Sequence, residues 1–156
     1  MTAMPVSRTL VLALSLTIAV ASGSLSCDRE SSRTEEVTAG VRLGMSPRDV
    51  REHFQGGGDG SWQTTIGSGT DRVIDWRAQS DAARFTQARF EFHLGMLVAV
   101  RAHTRDASAS ENIVLTPKTV TLRSPASDGG TDVTVLARDC PTHHDEAEAL
   151  AAKKSR

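Results

Sequence analysis

Residues 84–104 read RFTQARFEFHLGMLVAVRAHT. Phe85, Ala88, Phe90 and Phe92 recur at close to a two-residue period, while Glu91 and His93 fall between and after the last two. Such alternation makes one side of an extended chain apolar and the other polar. Leu94-Gly95 interrupts the pattern, and Leu97-Val98-Ala99-Val100-Arg101-Ala102 resumes it. A glycine-containing turn between two such runs predicts an antiparallel hairpin, and this hairpin decides the fold class.

Outward from the hairpin the chain keeps its strand character. On the N-terminal side, Ser61–Ile66 (SWQTTI) alternates Trp62, Thr64 and Ile66, Gly67-Ser68-Gly69 turns, and RVIDW supplies Val73, Ile74 and Trp76. On the C-terminal side, 106–112 is polar and reads as a loop, followed by the strand-like IVLTPKTVTLR of 113–123. A second loop at 124–130 leads into TDVTVLAR at 131–138. A helix is expected at each end of this series. Ser46 can cap the first, Pro47 suits a first helical position that needs no amide donor, and Asp49 has capping-box spacing. Val50 and Phe54 share a face of this helix, and Gly56-Gly57-Gly58 stops it. Cys140-Pro141-Thr142 opens the second, with Thr142 and Asp145 in capping-box spacing and Ala147, Leu150 and Ala151 as a weak apolar stripe. The fold class is α+β, an antiparallel sheet of about 4–6 strands packed with one N-terminal and one C-terminal helix.

The 38% hydrophobic content is unevenly spread over the 156 residues. Residues 1–26 hold 15 of the apolar side chains, so the remaining chain supports one modest core and no large multidomain enzyme. Arg8 precedes the run LVLALSLTIAVA at 10–21, which is too short to span a bilayer and has the length of a signal-peptide core. Residues 1–26 are therefore read as a signal peptide, 27–39 as a charged, solvated tether, and 40–156 as a single domain. With 18 Lys+Arg against 19 Asp+Glu, no basic stripe marks a nucleic-acid partner.

Ser22-Gly23-Ser24-Leu25-Ser26-Cys27 resembles the lipobox of bacterial lipoproteins, in which the cysteine is acylated. Its departure is Ser24 where that family prefers Leu. The resemblance implies lipidation at Cys27, palmitate among the acyl chains, and attachment to a membrane of the cell envelope facing the periplasm. Asp28 resembles an inner-membrane retention signal, which leans the assignment toward the inner membrane. Val41-Arg42-Leu43-Gly44-Met45-Ser46-Pro47-Arg48-Asp49-Val50 and the phrase FEFHLGMLVAV at 90–100 are similar to SmpA/OmlA-type small envelope lipoproteins. The long tail 105–156 and the missing Gly-Pro after the first helix depart from that group. The implied role is a non-catalytic binding or assembly module whose partner is another envelope protein.

Reactive residue types gather only at Asp139, Cys140, His143, His144, Asp145 and Glu146. They read first as a structural helix start with a buried or disulfide-forming Cys140; as an alternative, Cys140, His143 and His144 offer half of a zinc-type ligand set. Alternatively, Cys140 at a helix start is a thiol whose pKa the helix dipole would lower, with a neighbouring His as base. Acylation of Cys27 leaves Cys140 without an intrachain partner; without acylation a 27–140 disulfide is open to it. Gly56-Gly57-Gly58-Asp59-Gly60 lacks the Lys-Ser/Thr ending of a phosphate loop, and no Gly-x-Ser-x-Gly elbow occurs. No catalytic residue and no cofactor are expected.

Overall fold

A computed structural model describes residues 36–67, 71–108 and 110–155. Chain order is β1 (Glu36–Thr38), β2 (Val41–Arg42), α1 (Pro47–His53), β3 (Gly60–Ile66), β4 (Arg72–Ala78), β5 (Phe85–His93), β6 (Met96–Thr104), β7 (Asn112–Leu115), β8 (Thr119–Pro125), β9 (Thr131–Ala137) and α2 (His144–Lys154). β3 to β9 form one antiparallel sheet in the order β3-β4-β5-β6-β9-β8-β7. The α+β class with an antiparallel sheet is as expected, but the sheet has seven strands instead of four to six. The extra strand comes from 113–123, which Pro117 divides. Thr116, Pro117 and Lys118 turn the chain, with the Thr116 amide donating to the Thr119 carbonyl at 3.0 Å, so β7 and β8 pair with each other. β1 and β2 form a separate two-stranded pair, and β1 falls inside the stretch read as tether.

The hairpin that decides the fold is the centre of the sheet, β5 against β6, joined by Leu94 and Gly95. Both turn residues have positive φ, 51° and 76°, which matches the right-handed twist of the flanking strands. Trp76, Ala88, Ala102 and Val133 form one cross-strand row, and Ile74, Phe90, Val100 and Val135 the next. These rows are buried beneath α1 and the segment leading into it. Phe54, the residue after α1, is the hub of an aromatic group. Its ring lies 5.1 Å from Trp76 and from Phe90, 5.7 Å from Phe85 and 5.9 Å from Trp62.

α1 begins as its residues require. The Ser46 hydroxyl accepts from the Asp49 amide at 3.2 Å, and the Asp49 carboxylate accepts from the Ser46 amide at 3.2 Å. The helix ends at His53, before the glycines expected to stop it, and Phe54 follows as an extended cap; at seven residues it is too short to stand alone, so Val50 and Phe54 must hold it to the sheet. α2 covers part of the opposite face, where Ala147 seals Ala99, Ile113, Val120 and Leu136. Its start corrects the expected cap. The His143 amide donates to the Cys140 carbonyl at 3.1 Å, so Pro141 and Thr142 lie in a turn and the helix opens at His144. His143 is the capping residue without a side-chain cap bond, and Thr142 plays no part. The apolar stripe is as expected, with Ala147 and Ala151 buried and Leu150 half-buried. Among the described residues no helix is long and apolar enough to cross a membrane.

Candidate functional site

Topology leaves two edges, and they are unequal. β7 has four residues, ends just before Pro117, and has α2 packed along it. β3 has seven residues, GSWQTTI, with neither a charge nor a proline. Its Trp, two Thr and Ile favour the extended chain. It pairs with β4 from Gly60↔Ala78 to Ile66↔Arg72, and no backbone bond among the described residues reaches its outer side. Edge strands are usually blunted by charge, proline, bulges or brevity, because their free N–H and C=O groups template pairing with another chain. β3 has none of these devices. One cation touches it, Arg51 of α1, whose guanidinium donates to the Thr64 hydroxyl and sits 5.9 Å from the Trp62 ring centre. It guards the helix side of the strand, and among the described residues no backbone bond closes the edge.

The second exposed feature is the part of the sheet face that α2 does not cover. A depression of about 560 Å³ lies there, lined by polar residues of β4, β5, β6, β8 and β9. One cross-strand row is Arg77, Gln87, His103, Asp132 and Ser124; the next begins Asp75, Arg89, Arg101 and Thr134. The register puts Arg89 directly opposite Arg101, a like-charge pair that destabilises a sheet unless it is compensated. Compensation is local. Arg89 forms a fork with Asp75 at 2.8 and 3.3 Å, and that hydrogen bond, reinforced by the carboxylate charge, raises the Arg89 pKa. Arg101 reaches Glu91 at 3.2 Å and Glu146 of α2 at 2.8 Å. The Asp132 carboxylate accepts from His103 Nδ1 at 2.8 Å, while Nε2 lies 3.0 Å from Asp128 without the alignment of a hydrogen bond. Arg89 and Arg101 each carry their own carboxylate, which is how the solvated face of an antiparallel sheet balances its charge.

The residues singled out for chemistry are separated by the fold. Cys140 is a free thiol, 0% exposed, within the core on the α1 side. His143 follows the turn to the other side, its Nε2 3.4 Å from Glu91 and its Nδ1 3.8 Å from Glu146. His144 is exposed, and its Nδ1 is 3.0 Å from the Arg138 carbonyl. Among the described residues no three His, Cys, Asp or Glu side chains gather in a way that holds a metal ion. Cys27, the expected lipidation site, lies outside the described residues. Sequence reasoning did not find the Glu91–Arg101–Glu146–His143 network, because Arg101 and Glu146 are 45 residues apart. The one local signal was that Glu91 and Arg101 fall on the polar side of the central hairpin.

Among the described residues, four carboxyls lie below the usual range. Asp49 is lowered by the Ser46 hydroxyl and then the Ser46 amide, Asp106 and Glu148 by hydrogen bonds from Arg84 and Arg138, and Asp128 by the Gly130 amide. Each releases its proton more readily in the folded chain than in the unfolded one. Their contribution is therefore complete above the ordinary carboxylate value near pH ~4 and is lost as pH falls through the lowered values. The urea midpoint is expected to lose this contribution progressively below about pH 4. A midpoint that holds constant from pH 6 down to 2.5 would contradict it.

A scan of protein-family models, a search of curated proteins and a search of solved structures find no match to this chain.

Proposed function

We propose that this is a lipid-anchored cell-envelope protein that works by binding, not catalysis, and that it captures an extended segment of another envelope protein on the free edge of β3. The export and anchoring part rests on the apolar run 10–21 and the lipobox-like Ser22–Cys27, with the domain facing the periplasm. The likeness of 41–50 and 90–100 to SmpA/OmlA-type lipoproteins points the same way. The binding part rests on one observation: a seven-residue edge strand without charge or proline. Strand addition draws its affinity from main-chain hydrogen bonds and its selectivity from alternate side chains, so it needs no preformed pocket. The central hairpin cannot serve in this way, since β5 and β6 are paired on both sides.

A photo-crosslinking residue at Gln63 is expected to trap a partner in intact membranes, whereas one at Val114 on β7 is not. Adding Thr65→Lys, which charges the edge without touching the core, is expected to abolish the Gln63 crosslink. Equal trapping at both positions, or trapping at Gln63 that survives the lysine, would sink the reading.

A further inference from the structure

Three apolar features gather at one end of the sheet. Leu94, at the tip of the central hairpin, is 55% exposed and adopts φ +51°. Asn or Gly takes that left-handed position with little strain; a bulky, exposed Leu is a strained choice for it. Ile66 is 73% exposed and ends β3, and the register Ile66↔Arg72↔Phe92 carries it to the same end of the sheet as Leu94. Two strand spacings and two residues separate them, roughly 10 Å across and 7 Å along. Met45 and Met96 line a depression of about 260 Å³ beside Gly95. Gly44 and Met45 are clasped there by bonds of 2.8 and 2.9 Å with Leu97. Leu94 and Ile66 are two of the three exposed large hydrophobic side chains among the described residues.

The chain enters the domain at this end as well. Glu36, the first residue of β1, pairs with Arg42, which lines the same depression as Gly95 and Met96. Nine residues lead from Cys27 to Glu36, a reach of at most about 30 Å. Arg72, between Ile66 and Phe92 in the register, is exposed and has no ion-pair partner among the described residues. Apolar side chains flanked by a cation suit the boundary between anionic headgroups and acyl chains.

We propose that this end of the domain rests on the membrane surface, with Leu94 seated at the headgroup–acyl boundary beside Ile66, Met45 and Met96. The inference deepens the anchored-protein reading and rests on it. The long axis of the strands then points away from the bilayer, and the edge of β3 faces sideways into the periplasm, where an extended partner segment can reach it.

The acylated full chain is reconstituted in vesicles of phosphatidylethanolamine and phosphatidylglycerol that carry a headgroup nitroxide. A bimane is placed at Lys118→Cys, in the β7–β8 turn at the same end, or at Ser127→Cys, in the β8–β9 turn at the far end; native Cys140 is buried. The label at 118 is expected to be quenched several-fold more than the label at 127. Adding Leu94→Asn is expected to reduce that difference while the melting temperature stays the same or rises. Equal quenching at 118 and 127 in a chain whose N-terminal mass shows acylation overturns the inference and leaves the anchoring standing. An unmodified Cys27 in that mass spectrum overturns the anchoring, and the inference with it.

Discussion

Phe90→Ala is expected to lower the stability of the folded chain by about 3–5 kcal/mol. Phe90 is 0% exposed, and its ring lies 5.1 Å from Phe54 and 5.9 Å from Trp62. The loss has two parts, the transfer free energy of the ring and the cavity it leaves. The second is large here because the walls cannot close. Phe90 is on β5, paired to Ile74 on one side and Val100 on the other, so the floor of the cavity is a strand held by both neighbours. The roof is Phe54, fixed just past a seven-residue helix whose other inward residue is Val50. Removing the ring therefore also loosens α1. Small domains have only about 5–15 kcal/mol in total, so the variant should melt far below the parent. Urea unfolding followed by near-ultraviolet circular dichroism measures it, and a loss under 1 kcal/mol would mean that the aromatic group is not the main support of α1.

The same hairpin shows what was legible before the structure. Phe90 and Phe92 alternate with Glu91 within five residues, Leu94-Gly95 turns, and Ser46 meets Asp49 three positions on. Each of these signals is local, and each held. Alternation, however, specifies a face and not a register, because a shift of two residues preserves it. So the opposition of Arg89 to Arg101, its compensation by Asp75 and Glu91, and the arrival of Glu146 were beyond reach. Thr142 shows the opposite failure, in which a local pattern was present and a turn after Cys140 overrode it. Pro117 stands inside a strand-like run, and only the pairing of β7 with β8 makes it the corner of a hairpin. The candidate site depends on this missing information. Ser61–Ile66 reads as a strand in sequence, but its place at the edge is a property of strand order, decided when the tail 112–137 joins the far side of β6.

Gly60→Ala, at the first residue of that edge strand, is expected to cost about 3 kcal/mol or more, at the upper end for overpacking. A Cβ at Gly60 would stand 2.1 Å from both Nε1 and Cε2 of Trp76, and one at Gly56 would stand 2.5 Å from the same indole. Two glycines thus abut the ring. Its room to retreat is small, because Phe54 lies across it at 5.1 Å and Trp76 is itself buried. Either the indole leaves the core or the start of β3 lifts from β4. Both routes expose Trp76, so a red shift of tryptophan emission should accompany the loss of stability. Gly95→Ala is the contrast: its Cβ would meet nothing within 4 Å, and only its φ of +76° resists, at a cost of about 1–2 kcal/mol. If the two substitutions prove equally mild, the tight seat of Trp76 is refuted. If Gly60→Ala behaves as expected, it should also weaken capture at Gln63, three residues along the same strand. On the proposed reading, the edge takes up an incoming segment only while Trp76 lets β3 lie flat against β4.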